Sequence, residues 1–188
     1  MDEFSYLSVL ISIILGLAVT QILQGFRGLL LSRSRIGIYW PVIAWAALLL
    51  LICTQNWWSM FGMRNRHAWT FLQFGIVLLD TSLIYMATAL VFPDLNDAEV
   101  IDLKRSYYTH RAWFFSVLTA AVLVSVLKDL VLDGHLPDPT NLAFQLFYIV
   151  TLLVGAITQR EWYHKALVLC GGVMFVLYIV VLFAQLKG

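Results

Sequence analysis

The chain has 188 residues, of which 61% are hydrophobic and 12% charged, and its formal net charge is +1. Soluble domains are about 45–50% apolar and about 25% charged. The composition therefore excludes a soluble monomer, a disordered chain and a disulfide scaffold. A net charge this small provides no basic field for nucleic acid, so we expect no nucleic-acid partner.

Six stretches are long and apolar enough to cross a bilayer, which takes about 20 residues in a helix. They predict an all-α, polytopic membrane protein made of one domain over residues 1–188, with a bundle of six transmembrane helices and a short cytoplasmic linker at 93–107. The predicted spans are 5–26, 38–60, 69–92, 109–132, 141–158 and 163–186. Trp and Tyr residues cluster at the span ends, which is typical of interfacial aromatic belts.

The first span carries small and polar residues at intervals of four, which places them on one helix face. The stripe consists of Ser8, Ser12, Gly16, Thr20, Gln24 and Gly28. Small residues let helix backbones approach closely, so tight helix packing is the preferred interpretation. The alternative is that Thr20, Gln21 and Gln24 line a polar cavity on the cytoplasmic side.

The second span ends in the polar pair Gln55-Asn56, just before two tryptophans. Interfacial hydrogen bonding explains this pair, and binding in an outer vestibule is the alternative. The same span contains Thr54-Gln55, and the fifth ends in Thr158-Gln159. Three spans on each side of the linker would make two inverted halves, as in many transporters. Six spans also divide by two without any repeat, so both interpretations stay open.

Asp80 lies near the middle of the third span. A carboxylate there costs about 2.5–3.5 kcal/mol on insertion scales, so it must face protein or water. Lys128 lies about 12 Å from the centre of the fourth span at 1.5 Å per residue, too far to reach easily. We therefore expect Asp80 to be protonated, or held by hydroxyl groups such as those of Thr81 and Tyr85. Either arrangement suits ion binding or proton coupling, and the alternative is a structural hydrogen bond between helices.

The fourth span has only 16 residues between Arg111 and Lys128 and is closed by Asp133-Gly134. It crosses a bilayer if both basic side chains reach opposite interfaces, so we interpret Lys128 and Asp129 as interfacial anchors. In the sixth span, Gly171-Gly172 indicates close packing or a local unwinding of the helix.

Several chemistries lack a sequence signature. The histidines lie at span ends or in loops, Cys53 and Cys170 are isolated, and no nucleotide-binding or hydrolase motif is present. We therefore expect no cofactor, no metal and no catalytic residues. The acidic residues of the linker show no catalytic spacing, which makes a lipid-modifying enzyme the weakest hypothesis.

The distribution of basic residues predicts the orientation. With the N-terminus outside, cytoplasmic segments hold eight Lys and Arg residues and outer segments hold four, which fits the positive-inside rule. Both termini are then outside the cytoplasm, and a bacterial inner membrane is the expected location.

Two functions fit this sequence. The first is a small transporter or channel for an ion or small solute, linked to protons or cations through Asp80, with Thr81, Tyr85, Thr20, Gln21 and Gln24 as further candidates. The second is a non-catalytic assembly or regulatory subunit that packs against a partner. The expected partners are the lipid bilayer and further copies of the chain, because the small-residue stripe offers a face for another helix.

Overall fold

Six long helices make up the fold of this computed structural model, which describes residues 3–31, 36–64, 66, 68–93 and 101–183. The helices are α1 (Glu3–Leu31), α2 (Trp40–Ser59), α3 (Phe71–Val91), α4 (Leu103–Asp133), α5 (Pro139–Ile157) and α6 (Glu161–Tyr178). A 3-10 turn, Met60–Met63, continues α2, and a π-helical turn, Ile179–Phe183, continues α6. Six helices are long and apolar enough to cross a membrane. The prediction of an all-α chain with six such helices is confirmed.

Local sequence signals explain where several helices begin and end. Pro41 and Pro139 occupy the first turns of α2 and α5, where a missing N–H leaves no hydrogen bond unmade. The Thr70 hydroxyl accepts from the Gln73 backbone N–H, and the Gln73 side chain accepts from the Thr70 backbone N–H, which forms a capping box for α3. Gly134 ends α4 at a φ of 76°, in the left-handed region that glycine adopts without strain.

The linker between the two halves of the chain ends earlier than predicted, at a short strand that pairs with another, parallel strand. Strand β1 (Ile36–Gly37) precedes α2, and strand β2 (Ile101–Asp102) precedes α4, with Gly37 opposite Asp102. The Asp102 carboxylate accepts from two backbone N–H groups of the first turn of α4, so that helix begins at Leu103. The linker predicted over 93–107 is thus wrong at its end, since 103–107 are helical; its residues 94–100 lie outside the described part of the chain.

The packing of the helices forms a ring. In the order α2, α3, α4, α5, α6, each helix packs against the next, and α6 packs against α2. Helix α1 lies outside this ring and packs mainly on α3. Within the first half of the chain the main helix contact joins α1 and α3, whereas within the second half it joins α4 and α5. The inverted-repeat hypothesis stays a prediction.

Helix α1 turns mainly large apolar residues toward the bundle, together with Ala18 and Gly25. Its buried positions include Leu7, Ile11, Leu15 and Ile22. Four residues of the small-residue stripe are exposed: Ser12, Gly16, Thr20 and Gln24. A Cβ added at Gly16 would meet no atom within 4 Å. The stripe therefore makes no tight helix contact among the described residues of the chain, and packing against a second copy stays a prediction.

Candidate functional site

The five-helix ring encloses a partly open cavity of about 380 Å³, which we call the bundle cavity. On α4 its wall extends from Leu118 to Asp133, about 22 Å at 1.5 Å per residue. This wall lies in the half of the bundle that contains the ends of α2, α4 and α6. Its polar lining includes Gln55, Asn56, Asp80, Lys128, Asp129 and Gln145. Apolar side chains such as Leu48, Leu49 and Ile84 provide much of the remaining wall.

An ion pair lies in the wall of this cavity. Lys128 Nζ is 2.5 Å from Asp80 Oδ2, and the two side chains are only 16% and 5% exposed. Asp80 is the tenth residue of the 21-residue α3, so the pair lies near the middle of that helix. Both groups face the cavity and not the exterior of the bundle.

The ion pair corrects the expectation that Lys128 cannot reach Asp80. Gln73 donates to the backbone carbonyl of Val131 at 3.4 Å, so the start of α3 lies beside the end of α4. Helix α4 continues for five residues beyond Lys128, about 7.5 Å, which places the lysine inside the helix. The flexible four-carbon stem of the lysine then covers the remaining distance to the carboxylate. The expectation that no cation lies close to Asp80 is therefore wrong.

The interpretation of Lys128 and Asp129 as interfacial anchors is wrong. Lys128 binds Asp80, and both Lys128 and Asp129 line the bundle cavity. Arg111, at the other end of α4, donates to the backbone carbonyls of Tyr108 and Thr158, so it ties α4 to the end of α5.

The hydroxyl groups proposed as partners for Asp80 bind elsewhere. Thr81 is buried and donates to the Val77 carbonyl at 3.0 Å. Tyr85 accepts a hydrogen bond of 2.9 Å from Gln21 Nε2, which joins α1 to α3. Neither Thr81 nor Tyr85 lines the bundle cavity.

The residues Thr20, Gln21 and Gln24 do not line the bundle cavity, and a separate polar cavity on α1 stays a prediction. Thr20 is exposed and donates to the Gly16 carbonyl at 2.8 Å, and Gln24 is exposed. Gln21 makes a hydrogen bond to another helix, through its contact with Tyr85. Of the six predicted transport residues, the structure places only Asp80 in the bundle cavity.

Gln55 and Asn56 do line the bundle cavity, so the vestibule interpretation of this pair agrees with their position. Gly171 lies within continuous α6, and its carbonyl accepts from the Tyr148 hydroxyl at 2.7 Å. Helix α6 is not unwound there, and close packing is the correct interpretation of Gly171.

At the mouth of the cavity a second ion pair joins two segments. Arg66 Nη2 lies 2.5 Å from Asp133 Oδ1, with half-exposed side chains. Its other terminal nitrogen donates to the Leu132 carbonyl at 2.7 Å. Arg66 thus links the segment after α2 to the end of α4 and contributes a paired charge to the cavity lining.

An aromatic cluster fills the part of the bundle that lies across Trp45 from the bundle cavity. The cluster comprises Trp45, Tyr107, Phe114, Phe115 and His164, whose ring centroids lie 5.1–5.6 Å apart in successive contacts. Phe115 and His164 have no exposed surface. Trp45 lines the bundle cavity and packs on Phe114 and Phe115, which do not line it, so the cluster adjoins the cavity at Trp45.

His164 is a buried group that the sequence interpretation missed. Its Nε2 lies 3.0 Å from the Thr158 carbonyl and its Nδ1 lies 2.9 Å from the Tyr107 hydroxyl. A carbonyl can only accept, so Nε2 carries the proton and Nδ1 accepts from Tyr107. Both ring nitrogens are satisfied, which gives His164 a structural role between α4, α5 and α6. The sequence signal for its burial was helical spacing. His164 lies one turn before Val168 and two turns before Gly171, and all three residues lie on the buried face of α6.

The cavity offers no evident metal centre. Among the described residues, no group of three or more His, Cys, Asp or Glu side chains is placed to hold a metal ion. Comparisons of the chain with protein-family models, with curated proteins and with solved structures gave no match. The functional interpretation therefore depends on the bundle cavity and its charges.

Proposed function

We propose that this chain is an integral membrane transporter for a small solute, linked to a proton or another cation through Asp80. The observation that carries the proposal is the Asp80–Lys128 pair in the wall of a cavity inside a ring of five helices. Ionisable groups inside a membrane bundle are costly, and they mark ion pathways and substrate sites. The aromatic cluster adjoins the cavity at Trp45 and fills the bundle beyond it, which favours alternating access over an open channel.

The exterior of the bundle supports insertion in a bilayer. Phe71 and Leu72 on α3 are 91% and 67% exposed, and Val173 on α6 is 62% exposed. Exposed apolar surface on this scale needs lipid or a partner to cover it. Trp162, in the first turn of α6, is also exposed, as expected for a residue at a lipid–water interface.

The orientation can be tested with cysteines in the otherwise wild-type chain. We propose that the loop at 32–36 is cytoplasmic and that Asp138 faces outward in a bacterial inner membrane. A membrane-impermeant thiol reagent applied to intact cells should then label a cysteine at 138 and spare one in the loop. Labelling with the opposite pattern would reverse the orientation.

Coupling follows from competition for one carboxylate. A proton or a substrate cation that binds Asp80 displaces Lys128 and leaves the ammonium group without its partner in the cavity wall. The freed lysine then favours a different packing of α3 and α4. The bound cation thereby shifts the equilibrium between two conformations of these helices. In this scheme Asp80 exchanges partners and Lys128 senses the exchange.

Proton flux into liposomes tests this scheme. Purified protein is reconstituted with a trapped pH-sensitive dye, and a potassium gradient with valinomycin sets the membrane potential. We expect flux from the wild type over a series of external pH values, loss of flux in Asp80→Asn, and normal flux in Asp138→Asn, whose exposed carboxylate lies outside the cavity lining.

Wild-type flux equal to that of protein-free liposomes would refute proton coupling. Undiminished flux in a stably folded Asp80→Asn variant would refute the role of Asp80. Thermal unfolding of each variant in detergent serves as the folding control.

A second candidate function is supported by the exposed face of α1. Ser12, Gly16 and Thr20 form a surface of small residues that would let another helix approach closely. We propose a homo-oligomer, or a partner subunit, on this face. Cross-linking in native membranes should give a closed oligomer that Gly16→Leu disrupts, and a monomer in both proteins would remove this candidate.

A further inference from the structure

One of the carboxylates that line the bundle cavity forms no ion pair in the described part of the chain. Asp80 is paired with Lys128, and Asp133 with Arg66. Asp129 also lines the cavity, and within the described part of the chain it forms no ion pair. The five ionisable groups named here therefore give the cavity one excess negative charge.

Two buried amide oxygens lie in the same wall as Asp129. Asn141 Oδ1 and Gln145 Oε1 are buried and have no hydrogen-bond partner among the described residues. Both residues line the cavity, and Gln145 is 6% exposed. They are one turn apart on α5, so they share a helix face.

The orientation of Asn141 follows from its contact with Asp129. Asn141 Nδ2 lies 3.5 Å from Asp129 Oδ2. A carboxylate only accepts hydrogen bonds, so the amide nitrogen must face Asp129 and the oxygen must point away from it. Asp129, Asn141 and Gln145 thus place acceptors in the wall of the cavity, and a buried acceptor that has no donor is energetically unfavourable.

The group that complements this wall is a cation that carries N–H donors. A primary ammonium group has three donors and no acceptor. Phe144, Tyr148 and Tyr178 also line the cavity, and aromatic faces attract an organic cation. The volume of about 380 Å³ lies in the range of small-molecule sites, so the ligand has an apolar body as well as a charge.

We propose that the bundle cavity binds a small organic ammonium ion, with Asp129 as its counter-ion and with Asn141 Oδ1 and Gln145 Oε1 as acceptors for its N–H groups. This inference names the substrate class of the proposed transporter, and as a statement about transport it rests on that proposal. As a statement about binding it stands on the cavity alone.

A series of three probes tests the binding without any mutation. Isothermal titration calorimetry of the full chain in lipid nanodiscs uses 2-phenylethylammonium, its N,N,N-trimethyl analogue and the neutral 2-phenylethanol, each against empty nanodiscs. We expect the primary ammonium to bind best, the trimethyl ion to bind more weakly because it has no N–H donor, and the alcohol to bind roughly tenfold or more weakly than the primary ammonium. Equal affinity for the alcohol and the ammonium, or no binding of any probe, would overturn the inference.

Variants then locate the site. Asp129→Asn removes the excess charge with little change in size and should weaken 2-phenylethylammonium binding by about tenfold or more. Asp138→Asn makes the same chemical change at an exposed position outside the cavity lining and should leave the affinity unchanged. An unchanged affinity in Asp129→Asn would also overturn the inference, and if that variant does not fold, the wild-type probe series decides.

Failure of this inference is distinguishable from failure of the transport proposal. Ammonium binding without flux in liposomes would leave the binding site in place and remove transport. Proton flux without ammonium binding would leave transport in place and remove the substrate class.

Discussion

Replacing Lys128 by methionine would leave the carboxylate of Asp80 without a counter-ion in the middle of the bundle. Methionine keeps a flexible chain of similar length, so the change removes the charge with little loss of volume. Asp80 is 5% exposed on its side chain and cannot reach solvent without movement of α3 or α4. The protein must then bury a lone charge, protonate it or distort the helix packing.

The size of the effect follows from the geometry of the pair. At a separation of 2.5 Å and an effective dielectric constant of about 20, the attraction is about 7 kcal/mol. Desolvation of both charges offsets much of this attraction, and breaking a buried pair on one side costs about 3–5 kcal/mol. Asp80→Asn should cost less, because the lysine left behind is 16% exposed and can reach water in the cavity. The double variant Asp80→Leu/Lys128→Met should recover most of the loss, since replacing both charges by apolar groups is often neutral or stabilising.

The measurement is equilibrium unfolding in mixed micelles titrated with sodium dodecyl sulfate, for the wild type, the single variants Lys128→Met, Asp80→Leu and Asp80→Asn, and the double variant Asp80→Leu/Lys128→Met. We expect a coupling free energy well above the 0.5 kcal/mol that separates independent sites. A loss of less than about 1 kcal/mol of unfolding free energy in Lys128→Met would refute a stabilising role for this ion pair, because breaking a buried pair costs about 3–5 kcal/mol. A double variant no more stable than Lys128→Met would refute it as well.

Two further predictions concern packing and can be checked by the same unfolding assay on monomeric protein. Gly25→Ala should destabilise the protein by about 1–3 kcal/mol, because the added Cβ would overlap the ring of Phe92. Gly16→Ala should instead stabilise the protein by up to about 1 kcal/mol, since the added Cβ meets no atom within 4 Å and alanine is the better helix former. Equal effects of the two substitutions would contradict this assignment of the two faces of α1. Tyr107→Phe should cost about 1–3 kcal/mol, because it leaves His164 Nδ1 buried without a donor, and an unchanged stability would show that this hydrogen bond contributes nothing net.

The six helices could be predicted because a bilayer imposes a length and forbids most charges. Runs without Lys, Arg, Asp or Glu therefore mark the spans with little help from other signals. The predicted fourth span begins at 109, whereas α4 begins at Leu103. The first turn of α4 carries the charged residues Lys104 and Arg105. An apolar-run criterion cannot extend a helix through such a turn, although Asp102 is a good N-cap residue.

The buried face of α1 could not be predicted for a different reason. In water, the apolar face of a helix is the buried face, but in lipid both faces can be apolar and small residues alone do not decide. Large residues such as Ile11 and Ile22 fill the contact with the bundle, and Gly16 faces outward. The register between α3 and α4 was likewise hidden, yet one signal was available: Asp133-Gly134 marks the end of α4 and so places Lys128 more than one turn inside the helix.

The buried polar groups without a hydrogen-bond partner among the described residues all belong to residues that line the bundle cavity. In the aromatic cluster, His164 has a partner for each ring nitrogen, whereas the indole N–H of Trp45, which also lines the bundle cavity, has no hydrogen-bond partner among the described residues. In the bundle cavity, Asp129 forms no ion pair and the acceptor oxygen of Gln145 has no donor among the described residues. Departures from polar satisfaction lower stability, and natural proteins concentrate them at functional sites. Because the unsatisfied groups lie on neighbouring helices and face one space, a single ligand can satisfy them together, whereas scattered unsatisfied groups would have no such common partner.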